Sequence, residues 1–177
     1  MSDKGTPAER GEAATRPASP SPEADEPSRA AAPPDPREAL LAEQFGARIA
    51  GFEAVTGYCA VVVSAARLEE VARELKEASG YNFLRCLTGI DRGDHLEVVY
   101  NLMNLGTKEE LLLKVKLPRE SPEVPSVAAL WPTANWLERE TYDLFGIHFQ
   151  GHPDLRRILL PDDWEGHPLR KDYEYRG

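Results

Sequence analysis

Near the end of the chain, Glu138, Glu140 and Asp143 crowd around Arg139. Two carboxylates in a cleft are the residue types of general acid/base chemistry. On a helix, carboxylates beside an arginine more often form structural ion pairs, and Arg139 lies four residues before Asp143, within reach along such a helix. Further on, His148, His152 and His167, with Asp154, supply the side chains of a zinc site. Their spacing lies on no evident rigid helix and matches no metal signature. Cys59 and Cys86 fall in apolar, strand-like runs, where a buried, reduced thiol is expected; a disulfide between them requires neighbouring strands. An iron–sulfur cluster usually takes four thiolates, which two cysteines cannot supply. The sequence has no G-x-x-x-x-G-K-[ST] loop, no G-x-G-x-x-G after a strand and no G-x-S-x-G elbow. Nucleotide-binding and serine-hydrolase readings therefore lack a local motif.

The acidic cluster must be carried by a helix over 134–145. There Leu137, Thr141 and Leu144 recur at spacings of four and three and form a stripe able to face a core. Trp136, Glu140 and Asp143 form a second stripe beside it, Thr133 is a candidate cap, and Gly146 supplies the stop. From 147 onward the pattern fits neither helix nor strand. Leu155, Ile158, Leu159, Leu160, Trp164, Leu169 and Tyr173 are nevertheless too apolar for a solvated tail, and Pro153, Pro161 and Pro168 limit regular ladders. We expect an extended arm ordered mainly by partners. Arg156 and Arg157 either fold back to Glu140 and Asp143 or meet carboxylates across an interface, since guanidinium groups suit both.

The rest of the chain provides the scaffold. It has 177 residues, enough for one modest domain, and a formal charge of -9 that disfavours a phosphate-backbone binder. The longest nearly apolar run, 58–66, is far short of the roughly 20 residues that span a bilayer. Residues 1–36 are rich in Pro, Ala, Ser and Glu with no large apolar side chain after Met1, which predicts a disordered tail. The tail is acidic, unlike a mitochondrial presequence, and the chain reads as intracellular.

A helix should begin after Pro36 with Leu40, Leu41 and Phe45, while the stretch up to Gly57 has no clear pattern. A strand is expected over 58–64, then a helix over 67–78 with Leu68, Val71, Ala72, Leu75 and Ala78 on one face and Glu69 paired to Arg73. Strands over 83–90 and 96–103 flank the turn at 91–94, and a third follows over 111–117. After a charged connector, Ser126 can cap a short turn through 127–130. These elements predict an α+β fold: a largely antiparallel sheet of about four strands with helices packed on one face, plus an extended irregular C-terminal arm. The corresponding regions are the tail 1–36, the α+β domain 37–146 and a partner-binding arm 147–177.

The run Glu138-Arg139-Glu140, two residues, Asp143-Leu144-Phe145, then His152 and Arg156-Arg157-Ile158-Leu159-Leu160, resembles the signature of the thirty-kilodalton subunit of respiratory complex I, known in bacteria as the C subunit of NADH-quinone oxidoreductase. The resemblance covers about 135–172 densely. It implies a non-catalytic subunit in the hydrophilic arm of a proton-translocating NADH:quinone oxidoreductase, packed against the large quinone-site subunit and a neighbouring iron–sulfur subunit. No cofactor is expected in such a subunit itself; NADH, flavin, iron–sulfur clusters and quinone belong to its partners. It lies on the cytoplasmic side of the bacterial membrane, held there peripherally. The subunit-interface candidates that follow are Trp136, Glu138, Arg139, Glu140, Asp143, His152, Arg156, Arg157, Trp164 and Arg170. Membrane-bound hydrogenases and other donor variants have a similar subunit. An independent enzyme using the acidic helix or the histidines is the remaining alternative.

Overall fold

Alternating apolar side chains build the sheet, and their register sets which face is buried. The computed structural model describes residues 35–174. Strands β1 (Gly51–Val55), β2 (Tyr58–Val63), β3 (Phe83–Asp91), β4 (His95–Met103) and β5 (Glu110–Pro118) form one sheet in the order β1-β2-β5-β4-β3. Neighbours run antiparallel except β2 and β5, which are parallel. Across β4 and β5, Leu96 faces Leu117, Val98 faces Val115, Tyr100 faces Leu113 and Leu102 faces Leu111, so all eight stand on one side and are buried. Cys59, Val61 and Val63 extend that face across β2. Helices α1 (Arg37–Phe45) and α2 (Leu68–Glu77) close over it, adding Leu41, Phe45, Leu68, Val71, Ala72 and Leu75 to the same core. The other face is polar. There Lys114 and Lys116 each lie 2.7 Å from Glu53, and although burial pushes the Glu53 carboxyl up, the two ammonium groups hold it down at about 2.

The α+β class is as expected, with differences in detail. The fifth strand, β1, comes from the stretch that had no readable pattern; it is an edge strand joined to β2 through the turn at Gly57. Leu40 is exposed, because helical geometry puts Leu41 and Phe45 on one stripe and Leu40 about 100° away from Leu41. Ala78 lies beyond the end of α2 and is exposed, while the Glu69–Arg73 pair forms at 2.8 Å. Cys59 is buried, which raises its thiol to about 11, but Cys86 is exposed. A register shift between Leu84 and Cys86 pairs Cys86 with Asn101, on the open face. A disulfide is excluded by topology: β5 and β4 separate β2 from β3, a span of roughly 14 Å. The expected disordered tail, 1–36, lies outside the described residues apart from Asp35 and Pro36.

Helix α3 (Ala134–Phe145) packs on β3. On either side of it, β6 (Glu123–Pro125) and β7 (His148–Gln150) pair in parallel, and Ile147 and Phe149 are core residues. The expected domain boundary after 146 therefore cuts into the core, since three-residue strands are too short to show a period. At Gly89 of β3, an added Cβ would lie 2.7 Å from Cδ2 of Phe145. Gly89→Ala is expected to lower stability by about 1–3 kcal/mol, because the rigid ring blocks the space. An unchanged denaturation midpoint would show that Phe145 can move aside freely.

Candidate functional site

Helix α3 buries a face that carries Glu138, Arg139 and Asp143 more deeply than the leucines of the expected core stripe. Glu138, Arg139, Thr141 and Asp143 are buried, whereas Leu137 and Leu144 are only half-buried. Two segments enclose that face: the loop after β6 supplies the donors to Glu138, and the C-terminal segment 151–174 folds back and supplies those to Asp143. Thr133 makes no side-chain cap bond. Gly146 ends the helix in the left-handed region at φ +70°, and the ring of His167 lies where a side chain would project.

Asp143 is the main anchor. Its Oδ2 accepts the backbone N–H groups of Ile158, Leu159 and Leu160 at 3.0, 2.8 and 3.0 Å, and Oδ1 accepts Nη1 of Arg157 at 2.6 Å. Burial pushes this carboxyl up, but the three amides and the guanidinium outweigh it and hold the pKa below its usual value. Nη2 of Arg157 donates onward to the carbonyls of Trp164 and Gly166, both at 3.1 Å. One ion pair thus fixes the segment at five further residues, 158, 159, 160, 164 and 166.

The end of α3 leaves carbonyls without intrahelical donors, and the same segment satisfies them. His167 Nδ1 donates to the Asp143 carbonyl at 2.9 Å, the Leu169 N–H to Leu144 at 3.1 Å, and Arg170 Nε to Phe145 at 2.8 Å. Cationic Arg170 is also favoured at that end by the helix dipole. A second anchor sits at the end of β3. Asp91 accepts Arg119 at 2.6 Å and the N–H groups of Gly93 and Lys171, each at 2.8 Å, while Arg119 also reaches Asp172 at 2.6 Å. These contacts, the Arg119 bond foremost, hold the Asp91 carboxyl well below the usual range.

Glu138 lies deeper. Oε2 accepts the Ser126 hydroxyl at 2.5 Å and Oε1 the Val127 N–H at 2.7 Å, both from the loop after β6. With no close cation to oppose desolvation, burial pushes the carboxyl up to about 7. The His152 side chain is equally inaccessible, with Nε2 3.9 Å from Glu138, 3.0 Å from the Asn135 carbonyl, and Nδ1 accepting the Asp154 N–H at 3.0 Å.

Several of the expected surface contacts are therefore internal. Glu138, Arg139, Asp143 and His152 serve the interior of the chain: Ser126 and Val127 hold Glu138, amides of the returning segment hold Asp143, and carbonyls of that segment accept from Arg139. Arg139 does not reach Asp143; it donates to the carbonyls of Arg156 and Arg157 at 3.2 and 3.4 Å and lies 5.2 Å over the Trp136 ring. Of the fold-back pairs left open, Arg157–Asp143 forms, whereas Arg156 pairs with neighbouring Asp154 at 2.9 Å and is exposed. Trp136 and Glu140 are exposed; Trp164 and Arg170 are half-buried. The histidines do not converge: among the described residues no three His, Cys, Asp or Glu side chains cluster to hold a metal. A hollow of about 530 Å³ is lined by Asp163, Trp164, Asp172 and Tyr173, among others, but not by Glu138, Glu140 or Asp143. Sequence reasoning missed Asp91, Arg119 and Ser126 as supports of this site. Only Ser126, flagged as a cap, carried a local signal, and its hydroxyl does accept the Ala128 N–H at 3.2 Å.

Comparison with known proteins places this geometry in a family. The family model for the respiratory-chain NADH dehydrogenase, 30 Kd subunit, matches residues 61–177. The C subunit of the NADH-quinone oxidoreductase of Geobacter sulfurreducens is 43% identical over 141 residues, covering 77% of this chain and 87% of the relative. Its counterpart in Moorella thermoacetica is 53% identical over 116 residues, covering 64% and 78% respectively. Among solved structures, a trypsin-resistant fragment of Nqo5 matches with TM-score 0.60 and 38% identity over 67% of this chain and 98% of the fragment. A chain of the membrane-bound sulfane sulfur reductase, an archaeal respiratory membrane complex, shares the fold with TM-score 0.66 and 24% identity, covering 77% of this chain and 82% of its own. The matched span runs from within β2 through α3 to the whole of the segment anchored by Asp143, and the chain belongs to the family of the 30 kDa subunit of the respiratory-chain NADH dehydrogenase.

Proposed function

We propose that this chain is a non-catalytic structural subunit of a proton-translocating NADH:quinone oxidoreductase, docking in its hydrophilic arm against the large quinone-site subunit and a neighbouring iron–sulfur subunit. Likeness to the C subunits of NADH-quinone oxidoreductases supports the assignment. The observation that carries the docking role is the division of labour around α3. Its signature carboxylates Glu138 and Asp143 are held by donors of the same chain, while Trp136, Leu159 and Leu169 remain 63%, 58% and 51% exposed. Large apolar side chains left in solvent beside a rigidly held segment suit burial against a partner. In this reading the chain holds no cofactor, and NADH, flavin, iron–sulfur clusters and quinone are carried by its partners. Among the described residues no helix is long and apolar enough to cross a membrane, and attachment to the cytoplasmic side of the bacterial membrane is indirect, through those partners.

The test is purification of the tagged full-length chain from solubilised membranes of its native host. The other subunits of the oxidoreductase and NADH:quinone reductase activity should copurify. Recovery of the chain alone, or NADH oxidation by the chain free of other subunits, would overturn the assignment.

A further inference from the structure

Glu138 is a buried ionisable group that docking does not use. Its carboxylate is wholly enclosed and receives two neutral donors, Ser126 Oγ–H and Val127 N–H. A carboxylate has about four acceptor sites, so ionisation would leave some unfilled. The groups around it are few. Tyr100 of β4 is fully buried, its hydroxyl has no hydrogen-bond partner among the described residues, and burial first, then Glu138, keeps it neutral. Arg139, next on the helix, is turned to the carbonyls of Arg156 and Arg157. His152 comes from the segment after β7, at 3.9 Å.

The tautomer of His152 follows from its bonds. Nδ1 accepts the Asp154 N–H, so the ring proton is on Nε2 and is donated to the Asn135 carbonyl. That carbonyl lies in the first turn of α3, where it also accepts the helical N–H four residues on. The imidazole bond is its second and can be released without leaving it bare. A second proton on Nδ1 would instead oppose the Asp154 N–H, donor against donor. The ring can therefore answer a charge on Glu138 only by moving its existing N–H.

We infer that Glu138 is a proton-operated switch at the root of the C-terminal segment: when its carboxyl loses a proton to solvent, the Nε2–H of His152 moves from the Asn135 carbonyl to Glu138 Oε2, carrying the His152–Asp154 turn towards α3. The unpartnered Tyr100 hydroxyl is the second donor available to the new charge. Because Nδ1 keeps its bond to Asp154, the turn travels with the ring. The switch belongs to the chain itself and goes beyond the docking role, so it can be tested without partners.

The experiment is an NMR pH titration, from 5 to 9, of the isolated full-length chain labelled with carbon-13 and nitrogen-15. The Glu138 side-chain carboxyl should titrate with a midpoint near 7. The Asp154 amide and the His152 ring nitrogens should shift with the same midpoint. In Glu138→Gln that transition should vanish from both residues. Its persistence in Glu138→Gln, or appearance of imidazolium at His152 on raising the pH, would overturn the inference. Should Glu138→Gln fail to fold, the wild-type carboxyl and Asp154 signals decide alone: no shared midpoint would refute the switch.

Discussion

Asp143→Ala is expected to destabilise the chain by about 3–5 kcal/mol, the range for breaking a buried charged pair by removing one partner. Against a typical domain stability of about 5–15 kcal/mol, that is a large share. Three consecutive amides and the Arg157 guanidinium lose their acceptor at once, and no solvent replaces it because the Asp143 side chain is wholly buried. Asp143→Asn should fall between the two: its oxygen keeps one acceptor without the charge, and its amino group turns a donor towards other donors. Chemical denaturation measures the loss. Hydrogen exchange locates it, with the Ile158, Leu159 and Leu160 amides expected to lose protection first. The acid limb of the stability profile should change as well. A carboxyl held below its usual pKa stabilises the fold above that usual value, near 3.8, and the contribution disappears as pH falls through the lower, folded value. Asp143→Ala should therefore flatten the profile in acid. An alanine variant of wild-type stability with undiminished protection at 158–160 would show that the segment is held by other contacts.

Glu138 should produce the opposite slope in a different window. Its carboxyl is raised by burial from 4.5 to about 7. The folded state therefore retains a proton that the unfolded chain releases. The contribution to stability is full below pH 4.5 and is lost as pH rises towards 7, by about 3 kcal/mol over the interval. Glu138→Gln preserves the shape of the neutral acid, with its oxygen able to accept from Val127 and its amino group able to donate to Ser126. It should remove the slope between pH 4.5 and 7 and be the more stable protein at pH 8. Unfolding free energies across that range, for both proteins, decide the matter. Parallel profiles would place the ionisation elsewhere.

The scaffold was largely legible because its signals are side-chain periods. Leu96, Val98, Tyr100 and Leu102 alternate over enough residues to define a face, and Leu68, Val71, Ala72 and Leu75 do the same for a helix. The candidate site was legible in its residues but not in their direction. The Leu137–Leu144 stripe suggested a polar face in solvent, yet the groups that bury Glu138 and Asp143 are main-chain N–H groups of Val127, Ile158, Leu159 and Leu160, which every sequence possesses and none advertises. For the same reason the segment after Gly146 read as an arm awaiting a partner, although its anchors on Asp143 and Asp91 lie within the chain. The bulge that turns Cys86 outward is a backbone event as well.

Assembly of a surface variant tests the central claim most directly, namely that α3 and the segment folded on it present a docking surface. Trp136→Asp, Leu159→Asp and Leu169→Asp change side chains that are already exposed and leave the Asp143, Glu138 and Asp91 anchors intact. Carried together as the host's only copy, they should leave the isolated chain folded by circular dichroism, while the chain no longer copurifies with the other subunits and membrane NADH:quinone reductase activity is lost. A folded triple variant recovered in the complex at wild-type yield, with wild-type activity, would contradict the account.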